Sequence, residues 1–504
     1  MPNISQVAVA IQEENISDRL EECTDACTSK FNRILSDVIS KKEMKAHKME
    51  ASIFKWLLEL GLLLLELYFT SHNQGNYGKT IKTDQGVAER GRPGQKVYFS
   101  IFGKVKVCRY LYHIGGMSFA PLDIYLNLPV RCYSYFLREF SNLITINGAF
   151  NNTSKLLKKF FGLKLSVSGL ETISNESSVS YEDYYDIKIT LPKPEREEDF
   201  TVVQFDGKGV PMIKKEAAKI VARQGKGEKK QKKKEALVGA KYDVNANVRT
   251  PEEVAENLVY PDKKEDKKET AKDVKAKNIR YIASVEKSKK EVMEEIHNEV
   301  KHEDFSKSPL VCVMDGALHL WTTLVEVFKD IESVALILDI IHVVEYIYLI
   351  AHVKHKSSKD KRKQYVYDKL LLILRGNVAS YILELQNEMM IGKWRKSKLA
   401  IFSKVITYLK NHKQYMKYDE YLKKGYPIGS GVVESACSHV VKDRMEISGA
   451  RWGIDGAESI LKLRAISKSN DWDEYWEFHT SQANKNIFFS DDYNPIIPKL
   501  KLVA

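Results

Sequence analysis

Over the first 72 residues apolar side chains return at helical spacing, with Phe31, Leu35, Val38 and Ile39 on one face and a denser apolar run from Ile53 to Phe69. A helical N-terminal unit is predicted there. The next stretch, from Ser71 to Lys96, is crowded with Gly and polar residues and reads as a loop marking a boundary near residue 95. From Val97 to His113, β-branched and aromatic residues surround Gly103-Lys104, which predicts a small β-hairpin turning at that pair. Helices follow from Tyr135 to Ala149 and from Asn152 to Phe161; Gly162 breaks the pattern, and another helix runs from near Ser166 to Ser177. Two short helices around a glycine suggest a helix-turn-helix with the 166–177 helix in the groove-reading position, although a plain helical hairpin gives the same pattern.

From Phe200 the grammar changes to strands separated by long helical stretches. TVVQFDGKGVPMI predicts a strand, a turn at Gly207 to Gly209 and a returning strand, and ALVGAKYDVN from Ala236 predicts a third. SPLVCVMDGA ends a buried-type strand at Asp315, the helix LHLWTTLVEVFKD follows, and VALILDIIH is a second such strand ending near Asp339. A strand, helix and strand of this kind imply parallel pairing in a covered sheet. Residues 343–424 read as helix throughout, and YPIGSGVVESACSHVVKDRMEISGARWG opens a helix near Ser430. The expected division is therefore 1–95 (helices and linker), 96–185 (hairpin and helix-turn-helix), 186–345 (first part of an α/β core, with a charged insertion at 214–300), 346–428 (helical insertion), 429–485 (last part of the core) and 486–504 (tail).

At 504 residues and 43% hydrophobic, the chain is too long for one compact core and apolar enough to bury several. The net charge of +12 is compatible with an acidic polymer as partner without requiring one. Its most one-sided segment, Lys214 to Glu235, holds ten basic residues against three acidic and offers Lys229, Lys230, Lys232, Lys233 and Lys234 to phosphate; an exposed loop is the plain alternative. Six scattered cysteines make no disulfide framework, and no second close pair completes a zinc set with Cys23 and Cys27. The start of the chain lacks an export-signal pattern, and Lys55, Glu59 and Glu66 interrupt the apolar run, so neither secretion nor a membrane span is expected.

Phosphodiester cleavage needs two hard cations about 4 Å apart, held by carboxylates at one sheet edge with another reaching in from a helix. Asp206, Asp315 and Glu434 occupy such places. Asp206 and Asp315 interrupt buried-type runs, where an unpaired carboxylate is costly unless a cation compensates it. Each alone has a plain reading, as a turn former or a helix-start acid, and 67 acidic residues are available. Lys208, Lys442, Arg444 and Arg451 could neutralise phosphates, and Trp452 could stack on a base or simply fill a core.

VVQFDGKGVPM, VCVMDGALHLW, LILDIIHVVEYIY and YPIGSGVVESACSHVVKDRMEISGARWG together resemble the DDE transposases of bacterial insertion sequences, of the Kra-type group, similar to the Mutator-like superfamily. The resemblance spans most of residues 97–475. It implies an RNase-H-like core with an all-helical insertion, two divalent metal ions (Mg, with Mn as substitute) on Asp206, Asp315 and Glu434, and an Asp-x-x-His pair, Asp339 and His342, ordering the active site. Asp339 competes with Asp315 for the second catalytic position, and His342 as a plain helix-capping residue is the alternative to its motif role. Relatives carry a cysteine-rich knuckle where this chain has Cys108 and His113, so structural zinc is not expected.

The implied function is binding of terminal inverted repeats, cleavage and strand transfer by a homodimer or larger assembly, with the apolar helix at 53–69 as a candidate interface. The implied location is the nucleoid of a bacterial cytoplasm. A structure-specific nuclease and a domesticated DNA-binding regulator are the alternatives.

Overall fold

Leu310 to Met314 are five consecutive buried apolar residues, the pattern of a strand covered on both faces. In the computed structural model they form the penultimate strand of a five-stranded sheet. Residues 4–83, 86–192, 196–220, 232–261 and 275–488 are described. They fall into two units, one comprising residues up to Tyr184 with those from Asp473, the other Tyr185–Trp472.

The first unit opens with the long helices α1 (Ile4–Ser40) and α2 (Ala46–Thr70). A four-stranded antiparallel sheet follows in the order β1 (Thr80–Thr83), β2 (Gly86–Ser100), β3 (Gly103–Ile114) and β4 (Met117–Phe119). Much of the segment expected as a loop, Ser71 to Lys96, is therefore strand. Its polar composition follows from a β2 that is mostly exposed or half-buried. The hairpin turns two residues earlier than expected, at Ile101-Phe102, because Ser100 pairs with Gly103, which holds φ 135°. Phe69 of α2 packs with Val105 and Val107 of β3, so the boundary expected near residue 95 runs through one core. After α3 (Pro121–Tyr125), helices α4 (Tyr135–Thr145), α5 (Phe150–Phe161) and α6 (Val167–Ser177) enclose Leu137, Leu157, Leu170 and Ile173. Gly162, left-handed at φ 70°, ends α5, and the Ser166 hydroxyl caps α6 by accepting from Gly169 N. Helix α7 (Tyr181–Thr190) crosses into the second unit, and α20 (Trp472–Phe488) returns to the first, where Tyr475 donates to Ser177 O.

The second unit holds the sheet, in the order β7 (Lys277–Ser284), β6 (Lys233–Val244), β5 (Phe200–Pro211), β8 (Leu310–Met314) and β9 (Val334–Leu338). The pairs β5–β6 and β6–β7 are antiparallel; β5–β8 and β8–β9 are parallel, as the strand-helix-strand pattern predicts. No turn occurs at Gly207 to Gly209. β5 runs straight through them, because the side chains of Glu235 and Lys233 on β6 cross where Cβ atoms would stand. Around the sheet lie α8 (Lys214–Lys219), α9 (Pro251–Val259), α10 (Lys289–Val300) and α11 (Leu318–Val327). Capping boxes at Thr250/Glu253 and Ser288/Glu291 start α9 and α10.

Between β9 and the final helices the chain is helical: α12 (Ile340–Lys354), α13 (Lys359–Leu374), α14 (Val378–Ile391), α15 (Lys396–His412) and α16 (Tyr418–Lys424). Their buried faces join the core of the sheet. Helix α17 (Gly431–Ala436) continues through a widened π turn, Cys437–Lys442, into α18 (Asp443–Met445), and α19 (Ile454–Lys468) follows. Alternation along β5 divides its neighbours. Phe205 and the cross-strand Gly239 meet Ile296 of α10, whereas Gln204 and Asp206 bond to α17 and the π turn.

Candidate active site

Phe205 lies opposite Met314, and Met314 opposite Leu338. The next residue along each strand is acidic: Asp206, Asp315 and Asp339. With parallel strands about 4.8 Å apart, this register puts three aspartates in one row across the middle of β5 and the ends of β8 and β9.

Asp206 Oδ1 accepts from Gly207 N at 2.7 Å, and Oδ2 accepts from the Cys437 thiol at 3.2 Å. Burial raises its pKa, these two hydrogen bonds oppose the rise, the Asp315 carboxylate adds to it, and His342 lowers it. Asp315 accepts from Ala317 N at 3.1 Å, while its carbonyl accepts from Trp321 Nε1 at 2.6 Å. Asp339 is fully buried and caps α12, its Oδ1 accepting from Ile341 N at 2.9 Å and its Oδ2 from Ser430 Oγ at 2.5 Å. Burial pushes its pKa up to about 6, against the lowering effect of the Ser430 and Ile341 hydrogen bonds.

Glu434, in the first turn of α17, joins the row at the Asp339 end. Its Oε1 lies 3.0 Å from the same Ser430 hydroxyl, which has one proton for two carboxylate oxygens. His342 Nε2 stands 3.9 Å from Asp339 Oδ2, and its Nδ1 3.4 Å from Glu345 Oε2. One ligand atom each of Asp339, His342 and Glu434 falls within 4.8 Å of the others. Asp339, expected as support, thus stands beside Glu434 in the same centre as Asp315.

The placement of α17 depends on Gln204, a fully buried amide on β5. Its Nε2 donates to Tyr242 OH at 3.0 Å and Gly429 O at 3.1 Å, and its Oε1 accepts from Val433 N at 3.1 Å. The helix then widens at Cys437, the residue whose thiol reaches Asp206. Arg464 of α19 braces this π turn by donating to Val440 O at 2.6 Å and to His439 O; burial lowers its pKa to about 10. Such turns often occur at functional sites.

From the helical segment comes Tyr408. Its ring stacks on Tyr346 with centroids 3.7 Å apart and rests against Gly316, where a Cβ would lie 2.2 Å from it. The hydroxyl is buried without a hydrogen-bond partner among the described residues. Burial raises its pKa, Tyr346 adds to that, and Asp315 and Asp339 raise it further.

The expected cations divide. Lys208 is half-buried on the Asp206 strand and acts electrostatically on Cys437, whereas Lys442 and Arg451 are exposed. Lys232 is exposed, Lys234 half-buried, and Lys233 pairs with Glu446 at 2.5 Å. Lys229 and Lys230 lie outside the described residues. Arg444 and Trp452 need correction as DNA contacts. They are 1% and 6% exposed, stacked at 4.7 Å, with Trp452 Nε1 donating to Met445 O and its backbone bridged to Met212. In this conformation they form core, and neither surface is open to a phosphate or base.

Gln204, Tyr408, Ser430 and Cys437 were not foreseen. Ser430 and Cys437 do lie four residues before and three after Glu434, on its own helical face. A cavity of about 720 Å³ lined by Lys354, Leu383, Glu384, Glu388 and Trp394 lies elsewhere, among α12 to α14, and contains none of the expected residues. No family model matches the chain, and no curated protein does.

Proposed function

We propose that the chain is a DNA transposase with an RNase-H-like core that cleaves and joins DNA by a DDE mechanism. The observation that carries this reading is the row of Asp206, Asp315 and Asp339 with Glu434 at its end. Supporting it, three antiparallel strands precede two parallel ones in the sheet, and a wholly helical segment separates the last strand from the Glu434 helix.

The donor set fits divalent cations. Hard oxygen ligands converge here, burial first and the neighbouring carboxylates second leave Asp206 and Asp339 with raised pKa values, and Tyr408 holds a donor unused among the described residues. Asp206, Asp315 and Glu434 would hold two such ions, Mg with Mn as substitute, supplying Lewis-acid activation of the attacking oxygen and charge for the leaving one. The chain's own groups do the rest. Cys437 and Gly207 N–H fix the Asp206 carboxylate, Ser430 fixes Glu434, and Lys208, Lys442 and Arg451 neutralise phosphate. Hydrolysis by water breaks a P–O3′ bond and frees a 3′-hydroxyl, and that hydroxyl then attacks a target phosphodiester and displaces another.

DNA recognition falls to the first unit. Helix α6 carries no Lys or Arg, so in a helix-turn-helix of α5 and α6 the phosphate contacts come from the exposed Lys155, Lys158 and Lys159 of α5. Phe31, Leu35 and Ile39 of α1 with Leu57 and Leu64 of α2 are 46–68% exposed, which suits assembly of two or more copies. No described helix is long and apolar enough to cross a membrane. A bacterial cytoplasm, at the nucleoid, is the proposed location.

The test uses DNA flanking the chain's own coding sequence, precleaved to expose 3′-hydroxyl ends, with supercoiled plasmid as target and Mg²⁺ present. Joined products that disappear with Asp206→Asn are expected. Nicked plasmid without joined ends would leave a nuclease and overturn the transposase reading.

A further inference from the structure

We propose that Asp339, His342 and Glu434 form a cation site of mixed nitrogen and oxygen donors, selective for a first-row transition ion over Mg²⁺. It shares Glu434 with the function proposed above and rests on that reading only for placing the ion in the catalytic centre.

The geometry is close to that of a loaded site. Metal–donor bonds of about 2.0–2.2 Å leave neighbouring donors roughly 3–4.4 Å apart. Asp339 Oδ2 and His342 Nε2 are 3.9 Å apart, and the three donor atoms lie within 4.8 Å of one another. Closing the set needs shifts of less than 1 Å. The local sequence supplies two of the donors from one helix start, since Asp339 caps α12 and His342 follows one turn later; Glu434 arrives from α17.

Three further features point to a ligand. His342 Nδ1 is 3.4 Å from Glu345 Oε2, the outer carboxylate that a metal-bound imidazole characteristically uses to fix its tautomer and leave Nε2 free for the ion. The Ser430 hydroxyl orients Asp339 and Glu434 but has one proton for both, so a positive charge between the two carboxylates relieves a conflict that hydrogen bonding alone leaves in place. Tyr408 is only 8% exposed, and its hydroxyl, beside Gly316 and within electrostatic reach of Asp315 and Asp339, has no hydrogen-bond partner among the described residues, which leaves a donor for a cation-bound water or a phosphate oxygen. Imidazole is a poor ligand for Mg²⁺, which prefers oxygen and keeps its waters, and a good one for transition ions. Asp206 and Asp315, with oxygen donors alone, remain suited to Mg²⁺.

The probe is Mn²⁺ alone, added to the full chain without DNA and followed by calorimetry and by electron spin echo for ¹⁴N coupling. In the wild-type chain a bound Mn²⁺ coupled to nitrogen is expected, displaced by Mg²⁺ only at large excess. His342→Ala should weaken that site at least tenfold and abolish the coupling, whereas the Asp206→Asn, Asp315→Asn double variant should retain it. Absence of ¹⁴N coupling in the wild-type chain, or unchanged affinity in a folded His342→Ala chain, would overturn the proposal. Failures of the two readings are distinguishable. Mg²⁺-dependent cleavage that survives His342→Ala without nitrogen-coupled Mn²⁺ leaves the transposase and removes the mixed site, and nitrogen-coupled Mn²⁺ in a chain that cleaves nothing does the reverse.

Discussion

Ser430 Oγ lies 2.5 Å from Asp339 Oδ2, bridging residues 91 positions apart and tying the start of α17 to the end of β9. Replacing it with Ala leaves a fully buried carboxylate with its single Ile341 N–H donor and frees Glu434 to swing. Loss of one partner of a buried charged group costs about 1–3 kcal/mol, so Ser430→Ala should lower the unfolding free energy from urea titration by that amount. Cleavage should fall further than folding, by at least tenfold, and Ser430→Thr should restore part of it. Activity equal to wild type in a folded Ser430→Ala chain would show that the bridge orients nothing of consequence.

Asp339 should trade stability for function. Its carboxyl titrates near 6 in the folded chain and near 3.8 when exposed, so the ionised form is disfavoured by folding. The linkage sign is fixed by that order. As pH falls from about 6 to about 4 the folded chain takes up the proton first, and stability rises; at neutral pH the charge costs on the order of 2–3 kcal/mol. Asp339→Asn should therefore melt higher than wild type at pH 7.5, with the difference shrinking toward pH 4, while DNA cleavage is lost. Equal melting points at pH 7.5 would contradict this.

Two glycines beside the row should respond differently to Ala. At Gly316 a Cβ lies 2.2 Å from the ring of Tyr408, itself stacked on Tyr346 and unable to yield, so Gly316→Ala should cost about 1–3 kcal/mol and displace Tyr408. At Gly207 the obstruction is the Glu235 carboxylate, the far end of a flexible side chain that is 52% exposed. Gly207→Ala should leave the thermal midpoint close to wild type. Equal losses in thermal melts would refute the distinction.

How much of this was legible follows from the range of each interaction. The parallel strands and their terminal aspartates could be read because a covered strand writes itself as a local apolar run broken by one acid, as Val311 to Asp315 is. Gly207 to Gly209 misled because glycine marks turns as readily as close cross-strand approach, and only the pairing with β6 distinguishes them. Ser71 to Lys96 misled because an exposed strand is as polar as a loop. Arg444 and Trp452 looked like a phosphate and base contact because nothing local reveals that the guanidinium folds onto the indole in the interior. Gln204 and Cys437 were out of reach for a different reason, since their roles come from bringing β5 to α17 and its π turn across more than 220 residues, and that of Ser430 from reaching Asp339, 91 positions away.

His479 of α20 gives the first unit an acid limit. It is 2% exposed, and its Nδ1 lies 3.0 Å from Ser180 Oγ. Burial lowers its pKa to about 4 from 6.5, with Arg138 lowering it further. The folded chain thus resists protonation that the unfolded chain accepts. Full stability is present above pH 6.5 and is lost as pH falls toward 4, by about 3 kcal/mol. His479→Asn, which cannot titrate, should remove this acid loss, so that in urea titrations its stability relative to wild type rises as pH falls from 6.5 to 4. A difference that stays constant across that window would exclude His479 as the source of the loss.

The row of carboxylates is tested most directly by single-turnover cleavage of labelled flanking DNA in Mg²⁺, with DNA binding measured on the same samples. For Asp206→Asn, Asp315→Asn and Glu434→Gln, each made singly, the predicted result is binding within a few-fold of wild type and a cleavage rate lower by at least a thousandfold, about 4 kcal/mol in the barrier. Cleavage at a rate near wild type in any of the three would remove that residue from the catalytic set, and cleavage by all three would contradict the metal-dependent centre altogether.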